Sequence, residues 1–319
     1  MGGIDPGCVR LRLAVIDGRV AAVSVASERP LVAAVLRGRP AEAAVKLVPL
    51  LFALCGRAQG RAAELALAAA CGRESAARID AEIQAEVMRE HLWRWLLDLP
   101  PLLGVAADQG EFTRLARCIA DGQREAVAGF LAGEQIARLC RRLEEMKDLA
   151  EPPHGLLPSL DAAASLVPWP QLDAGFCARP QWQGCAAETG AIARRRNPSA
   201  AGAFAARWLA RLEELRDWAA GREKVGAGGT ASAVQAGPGR GRALVETARG
   251  LLMHEIALDG ERIADYFIVA PTEWNFHPQG SLAGWLTGRD AGDREELQTF
   301  VARAVAALDP CVRWELEWL

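Results

Sequence analysis

The sequence predicts a mainly helical α+β protein with two β-hairpins. Residues 9–27 and residues 251–270 each place two β-prone runs around an Asp-Gly pair. Such a pair indicates a hairpin, because glycine tolerates the positive φ that a tight turn requires. The long stretches between the two hairpins are rich in Ala, Leu, Glu and Arg, which favour helix.

The first hairpin has the clearer pattern. Leu11, Leu13 and Val15 alternate with arginine or alanine, and this period of two is typical of a half-buried strand. Asp17-Gly18 then supplies the turn, as Asp259-Gly260 does in the second hairpin. Both segments are therefore predicted as antiparallel strand pairs.

Helices are predicted in six stretches, several of which carry start or stop signals. Pro40 opens the first stretch, and Pro100-Pro101 ends the third. The predicted stretches are 41–52, 60–70, 75–99, 110–149 with a break near Gly133, 201–220 and 293–308. Residues 150–199 contain seven prolines, which disfavour long regular elements.

Residues 1–319 are predicted to form a single domain. Residues 221–241 are small, rich in glycine and without periodicity, so they predict a mobile loop. The run at 237–241 (GPGRG) lacks the Lys-Ser/Thr ending and the preceding apolar strand of a phosphate-binding loop.

Composition excludes several classes of function. Lys and Arg number 37 against 40 Asp and Glu, a net charge of −3, and nucleic acid would call for a basic face. The most apolar stretch, residues 44–55, is too short to span a bilayer, so we expect no membrane partner. Eight cysteines without close pairing do not form a secreted disulfide framework. These features predict a cytoplasmic protein.

Two of the cysteines differ from the rest in their surroundings. The sequence has no CxxC, HExxH or GxSxG motif, so zinc sites, thioredoxin-like centres and serine hydrolases are unsupported. Cys55 precedes Gly56 at a helix boundary, and Cys311 follows Asp309-Pro310. The other cysteines are predicted as packing residues or remain unassigned: Cys8, Cys71, Cys118, Cys140, Cys177 and Cys185.

These two contexts resemble the large subunit of nickel–iron hydrogenases, in which a CGxC pair and a C-terminal DPCxxC pair give four thiolates to the Ni–Fe centre. Residues 188–194 (ETGAIAR) resemble that family's E-[TV]-G-P-[LI]-A-R, residues 246–250 (ETARG) its E-A-P-R-G, and residues 271–275 (PTEWN) its P-[ST]-T-W-N. The matches keep their order over nearly the whole chain. The resemblance therefore implies the fold of that large subunit.

Departures from the family's pattern argue against an enzyme. Ala58 and Trp314 occupy the positions where the second cysteine of each pair is expected. Glu317 occupies the position of the histidine that follows the DPCxxC pair in the family. Residues 5–8 (DPGC) replace the family's R-x-E-G-H glutamate, which transfers protons. Since the missing cysteines are the ones that bridge nickel and iron in the family, we expect no hydrogenase turnover and no nickel.

The retained residues imply a pocket for an iron fragment. In the family, the arginine of P-R-G and the Ser/Thr of P-[ST]-T-W-N donate to two iron-bound cyanides, and the Asp of DPC lines the same pocket. Arg249, Thr272 and Asp309 match them, and Cys55 and Cys311 match metal ligands that suit a soft iron. These thiolates correspond to nickel-terminal ligands, so an iron fragment would have to lie shifted from its place in the family's enzymes or be held by different atoms. Purely structural roles for all five residues remain open.

The chain resembles most the HupK/HoxV group of hydrogenase expression/formation proteins. That resemblance implies a non-catalytic scaffold whose Cys55 and Cys311 transiently hold an Fe(CN)2(CO) fragment before it passes to the large subunit. The expected partners are a HypC-type chaperone with its HypD-type partner, and the large-subunit precursor. The alternative is a cofactor-free chaperone that binds maturation factors or that precursor. We also expect both hairpins to flank the site, and the two cysteines to lie close together.

Overall fold

The computed structural model of the protein describes residues 7–28, 32–52, 54–146, 155–196 and 202–319. Helix makes up 48% and strand 24%, which confirms the predicted mainly helical α+β class. Predictions that fall on residues 1–6, 147–154 and 197–201 lie outside the described residues.

The helices are α1 (Val32–Leu36), α2 (Ala41–Leu51), α3 (Gly56–Ala70), α4 (Ala81–Trp93), a π-helical turn (Arg94–Asp98), α5 (Leu99–Leu102), α6 (Gln109–Ala120), α7 (Arg124–Leu131), α8 (Glu134–Glu145), α9 (Ala162–Ser165), α10 (Ala174–Ala178), α11 (Ala191–Arg195), α12 (Ala203–Ala219), α13 (Pro271–Asn275), α14 (Ser281–Leu286) and α15 (Arg294–Leu308). The strands are β1 (Cys8–Ile16), β2 (Arg19–Glu28), β3 (Ser75–Ile79), β4 (Gly155–Leu156), β5 (Ala187–Glu188), β6 (Thr230–Gly237), β7 (Arg240–Thr247), β8 (Gly250–Asp259), β9 (Arg262–Val269) and β10 (Arg313–Trp318).

Most of the predicted helices are confirmed. Four of them correspond to α2, α3, α12 and α15. The helix predicted over 75–99 is wrong at its start, because Ser75–Ile79 forms β3 and pairs with β6. Helix α4 begins only after Asp80, whose carboxylate accepts hydrogen bonds from the backbone N–H groups of Glu82 and Ile83. For the predicted stretch 110–149, the described part, which ends at residue 146, contains three helices, α6 to α8, instead of two.

A three-stranded sheet in the order β10-β1-β2 joins the two ends of the chain. The predicted first hairpin is confirmed as β1–β2, and β10 pairs with β1 in parallel. Leu11 and Leu13 are fully buried on one face, whereas Arg10 and Arg12 pair with Glu317 on the other. This pairing fixes the position of Cys311, which lies just before β10.

A five-stranded antiparallel sheet in the order β3-β6-β7-β8-β9 forms the centre of the molecule. It contains the predicted second hairpin as β8–β9, so the two hairpins belong to different sheets. The loop predicted over 221–241 is wrong for its second half, because β6 and the start of β7 lie there. Small residues in this segment allow close packing: a Cβ on Gly241 would lie 2.2 Å from the carbonyl oxygen of Ala66 in α3.

Both faces of the central sheet are covered. Ala243 and Val245 on β7 pack into the main core, which includes α3, whereas their neighbour Leu244 packs into a second cluster with Trp169 and Trp274. This division follows from the alternation of side chains along a strand. No helix among the described residues is long and apolar enough to cross a membrane.

Candidate functional site

Cys55 lies immediately before α3. The start of α3 packs closely on α2, because a Cβ on Gly56 would lie 2.9 Å from the carbonyl oxygen of Pro49 in α2. Glycine at position 56 allows this close approach. The Cys-Gly pair thus has a local structural reason, and α3, packed on the central sheet, fixes the cysteine at its N-terminus.

Cys311 lies in the short turn between α15 and β10. Helix α15 ends at Leu308, and the next residue, Asp309, adopts the left-handed conformation (φ 55°). The turn brings the sulfur of Cys311 to 3.2 Å from the hydroxyl oxygen of Thr272 in α13. The backbone N–H of Cys311 donates to the same oxygen at 3.4 Å. Because this oxygen accepts from the amide, the hydroxyl hydrogen of Thr272 can be donated to the sulfur.

Arg249 lies in the turn between β7 and β8 and is almost fully buried. Its Nη2 donates to Oε2 of Glu90 at 3.0 Å, and its Nε lies 3.3 Å from Oδ1 of Asp309. Burial alone lowers the pKa of this guanidinium, but Asp309 and Glu90 raise it well above its ordinary value. Nη1 forms no hydrogen bond with any residue in the described ranges. Arg249 is therefore a buried cation whose Nη1 and Nε both make no hydrogen bond within the described ranges, and Nε is already paired with Asp309, so Nη1 is left for a ligand.

Asp309 is held between two arginines. Its Oδ1 lies 2.7 Å from Nη2 of Arg94, in addition to its ion pair with Arg249. Burial raises the pKa of Asp309, but Arg249, Arg94 and Arg211 outweigh burial and lower that pKa to about 2. The carboxylate is therefore ionised at neutral pH and holds Arg249 in place. Glu90, Arg94, Arg249 and Asp309 together are called the ion-pair cluster below.

The sulfurs of Cys55 and Cys311 lie close enough to influence each other. Burial raises the pKa of the Cys55 thiol to about 12, and the charge of Cys311 contributes to this rise. Arg249 acts in the opposite direction on Cys55, and both sulfurs in turn raise the pKa of Arg249. A soft cation could displace the Cys55 proton, because metal binding selects the thiolate.

The donor set limits which metal could be held there. All eight cysteines lie in the described ranges, and none of them forms a disulfide. Across those ranges there is no group of three or more His, Cys, Asp and Glu placed to hold a metal ion. A bare zinc ion usually takes four protein ligands in a structural site. Two thiols beside a cation therefore suit a soft metal that brings ligands of its own, particularly anionic ones.

Asn275 connects the segments that carry the site, and the sequence did not single it out. Its Oδ1 accepts from the backbone N–H of Thr189 at 2.9 Å. Its Nδ2 donates to the carbonyl oxygens of Arg249 at 3.2 Å and Leu308 at 3.4 Å. One amide side chain thus joins three segments that are far apart in the sequence, and two of its partners are Arg249 of the ion-pair cluster and Leu308, which precedes Asp309.

Helix α4 supplies further residues that the sequence did not assign to the site. Glu86 accepts from the backbone N–H groups of Arg57 and Ala58 at 3.1 and 3.2 Å, at the start of α3. Its neighbour Glu90 binds Arg249. Glu86, Glu90 and Arg94 recur every four residues, which places them on one helical face. In the sequence, this spacing of charged residues is the feature that could have indicated their contribution to the site.

The structure brings all five sequence-predicted site residues together. Thr272 lies against Cys311, Asp309 lies against Arg249, and Arg249 acts electrostatically on both Cys55 and Cys311. Asp309 and Arg249 also form the structural ion pair that the sequence left open. The ligand-binding roles of these residues stay predictions.

The fold is shared with solved nickel-dependent hydrogenases. A NiFeSe hydrogenase from Desulfovibrio vulgaris Hildenborough aligns with a TM-score of 0.64 and 16% identity, over 93% of this chain and 94% of the other. A NiFeSe hydrogenase from Desulfomicrobium baculatum aligns with a TM-score of 0.64 and 15% identity, over 94% and 95%. Residues 191–313 match the sequence profile of the nickel-dependent hydrogenases. The fold is thus that of a hydrogenase large subunit.

Relatives with higher identity define the family. The hydrogenase expression/formation protein HoxV of Cupriavidus necator is 33% identical over 92% of each chain. HupK of Azotobacter vinelandii, which has the same description, is 30% identical over 98% of each. The chain belongs to this HoxV/HupK family of hydrogenase expression/formation proteins, as its motifs predicted. Its role is accordingly in hydrogenase maturation.

Proposed function

We propose that this protein is a non-catalytic scaffold that transiently holds an Fe(CN)2(CO) fragment before its transfer to the hydrogenase large subunit. One observation carries the proposal: the thiols of Cys55 and Cys311 lie within the field of a single buried guanidinium, that of Arg249. Two soft anionic donors beside a fixed cation suit an iron that carries anionic ligands of its own.

Each retained residue has a part in this proposal. Cys55 and Cys311 are the iron ligands. Arg249 donates to one cyanide through Nη1, which no described residue accepts from, and Thr272 donates to the other once its hydroxyl hydrogen turns from the Cys311 sulfur to that ligand. Asp309 lies behind Arg249, fixing its orientation and balancing its charge. The guanidinium is thus prepared for an acceptor-only ligand before that ligand arrives.

The missing cysteines explain why the cargo could leave again. The two positions are occupied by Ala58, whose backbone N–H donates to the Glu86 carboxylate, and by Trp314 in β10. Neither residue supplies a thiolate. The large subunit offers four thiolates to its Ni–Fe centre and this chain offers two, so the fragment is held less completely here, which favours transfer to the large-subunit precursor. We therefore propose a HypC-type chaperone with its HypD-type partner as the source of the fragment, and that precursor as its destination, without nickel on the scaffold.

Infrared spectroscopy of anaerobically purified protein tests this proposal. We expect cyanide and carbonyl stretching bands in the wild type, and their loss in Cys55→Ala and in Cys311→Ala, because each variant removes one of two ligands. Cys71→Ala is the matched control: Cys71 lies at the opposite end of α3 and is exposed, so its bands should remain.

A different result would favour the alternative function. Wild-type protein that supports hydrogenase maturation but shows no such bands would be a cofactor-free chaperone for maturation factors or the precursor. Bands that persist unchanged in Cys55→Ala and Cys311→Ala would place the iron elsewhere. Either result contradicts the proposed scaffold.

A further inference from the structure

A chain of buried polar groups runs from the central sheet to Cys55. The hydroxyl of Tyr266 on β9 lies 2.8 Å from Nδ1 of His254 on β8. Nε2 of the same imidazole lies 2.9 Å from Oε1 of Gln59 on α3. The amide Nε2 of Gln59 then lies 3.8 Å from the sulfur of Cys55, within hydrogen-bond distance for sulfur. Tyr266, His254 and Gln59 are called the polar chain below.

The polar chain has a preferred direction. Burial lowers the pKa of His254 to about 3 and raises the pKa of Tyr266, so both groups are neutral at physiological pH. A neutral imidazole carries one N–H, so it donates on one side and accepts on the other. Within the described residues, the Tyr266 hydroxyl has no acceptor other than Nδ1 of His254.

Donation from Tyr266 to Nδ1 therefore gives the Tyr266 hydroxyl, the imidazole N–H and the Gln59 amide nitrogen one acceptor each. The proton of His254 then lies on Nε2 and is donated to the Gln59 carbonyl oxygen. The amide N–H of Gln59 in consequence faces Cys55. In the reverse direction the buried Tyr266 hydroxyl would lose its acceptor, a loss of about 1–3 kcal/mol.

We propose that Gln59 is a positioning residue for Cys55: the polar chain fixes its amide so that an N–H donor, and never the carbonyl oxygen, faces the sulfur. A donor in this place stabilises a thiolate and turns it toward its metal, whereas a carbonyl oxygen would repel it. Groups with no contact to a metal ligand thus determine its environment. The inference rests on the proposed function only in taking Cys55 as a metal ligand.

Nitrogen-15 NMR of histidine-labelled protein tests the direction of the polar chain without any metal. We expect His254 at neutral pH to be protonated on Nε2 alone, with resonances assigned by their loss in His254→Gln. Protonation on Nδ1, or on both nitrogens, would overturn the proposal, because Gln59 would then have to turn its oxygen toward Cys55 or lose its bond to the imidazole.

Cobalt(II) binding tests the effect on the sulfur. The probe is cobalt(II) alone, followed by its thiolate charge-transfer absorption, which Cys55→Ala should diminish. We expect Gln59→Leu to weaken cobalt(II) affinity about 10-fold, as loss of a ligand's hydrogen-bond partner typically does. Gln84→Leu is the control, since Gln84 is similarly buried but its amide nitrogen has no hydrogen-bond partner among the residues that the structure describes.

The outcomes separate this inference from the proposed function. Equal cobalt(II) affinities for Gln59→Leu and Gln84→Leu would overturn the role of Gln59 while leaving the scaffold intact. Absence of the charge-transfer band in the wild type would contradict Cys55 as a ligand, and with it both proposals.

Discussion

Asp309 shows how a buried acid can be stable in this protein. Its carboxylate lies between Arg94 and Arg249, and their charges outweigh the unfavourable effect of burial on its ionised form. The reverse also holds, because Asp309 and Glu90 outweigh the unfavourable effect of burial on the charged form of Arg249. Removal of any one member therefore leaves an uncompensated buried charge.

Asp309→Asn should destabilise the protein by about 3–5 kcal/mol, because it breaks a buried ion pair and leaves Arg94 and Arg249 short of a counter-charge. Urea unfolding at neutral pH measures this loss. Asp98→Asn is the control: it removes another carboxylate partner of Arg94, but one that is a third exposed, so about 1 kcal/mol or less is expected. Equal losses of stability in the two variants would contradict the buried ion pairs of Asp309 with Arg94 and Arg249.

The pH dependence of Asp309 follows from the direction of its pKa shift. Its folded-state pKa, about 2, is below the ordinary 3.8, so the ionised form stabilises the fold. That contribution is fully present above pH of about 4 and is lost as pH falls toward the folded-state pKa. The stability difference between wild type and Asp309→Asn should therefore narrow across this window in unfolding measurements. A stability difference that does not change with pH would contradict the lowered pKa of Asp309.

The site residues that the sequence could predict are those carried by recognisable motifs. Cys55, Cys311, Arg249, Thr272 and Asp309 each occur in such a motif. Their partners lie on elements without a motif: Glu90 on α4, Arg94 at the start of the π-helical turn, Gln59 inside α3 and His254 on β8. Which charged residue of a helix meets a buried arginine depends on how the helix packs, and a single sequence does not specify that packing.

At the scale of elements, the packing of α3 against β7 positions the first cysteine. Alanines line the buried face of α3, and Gly241 on β7 opposes them, so the helix can approach the sheet closely. The same residue types caused the error in the predicted loop at 221–241, because small residues serve tight packing as well as flexibility. The Asp-Gly turns were predicted correctly, since their conformation is determined locally.

Gly241→Ala should destabilise the protein by about 3 kcal/mol or more, because its Cβ would lie 2.2 Å from backbone atoms of α3 and force the helix away from the sheet. Urea unfolding measures the effect. Gly129→Ala in α7 is the matched control: nothing lies within 4 Å of its Cβ, so better helix propensity should stabilise the protein by about 1 kcal/mol. A neutral Gly241→Ala would contradict the close approach.

At the scale of the whole molecule, the site exists only when distant parts of the chain meet. The parallel pairing of β10 with β1 brings the last strand beside the first. Asn275 then joins Thr189, Arg249 and Leu308 through backbone hydrogen bonds. The order of the motifs along the chain could predict that these segments meet. The connecting role of Asn275 could not be predicted, because the sequence shows only that this residue belongs to one of the motifs.

Asn275→Asp should destabilise the protein by about 3 kcal/mol or more at pH 7.5, because an ionised carboxylate would face the carbonyl oxygens of Arg249 and Leu308 in place of two N–H donors. Burial and these oxygens raise the pKa of such a carboxyl, so its penalty is largest when it is ionised and shrinks as pH falls. Urea unfolding at pH 7.5 and pH 5 should therefore show a smaller loss at pH 5. Asn275→Leu removes the same hydrogen bonds without a charge, and its loss should be equal at both pH values. If the two variants depend on pH in the same way, Asn275 does not donate to these two carbonyls, and the three segments must be held together by other contacts.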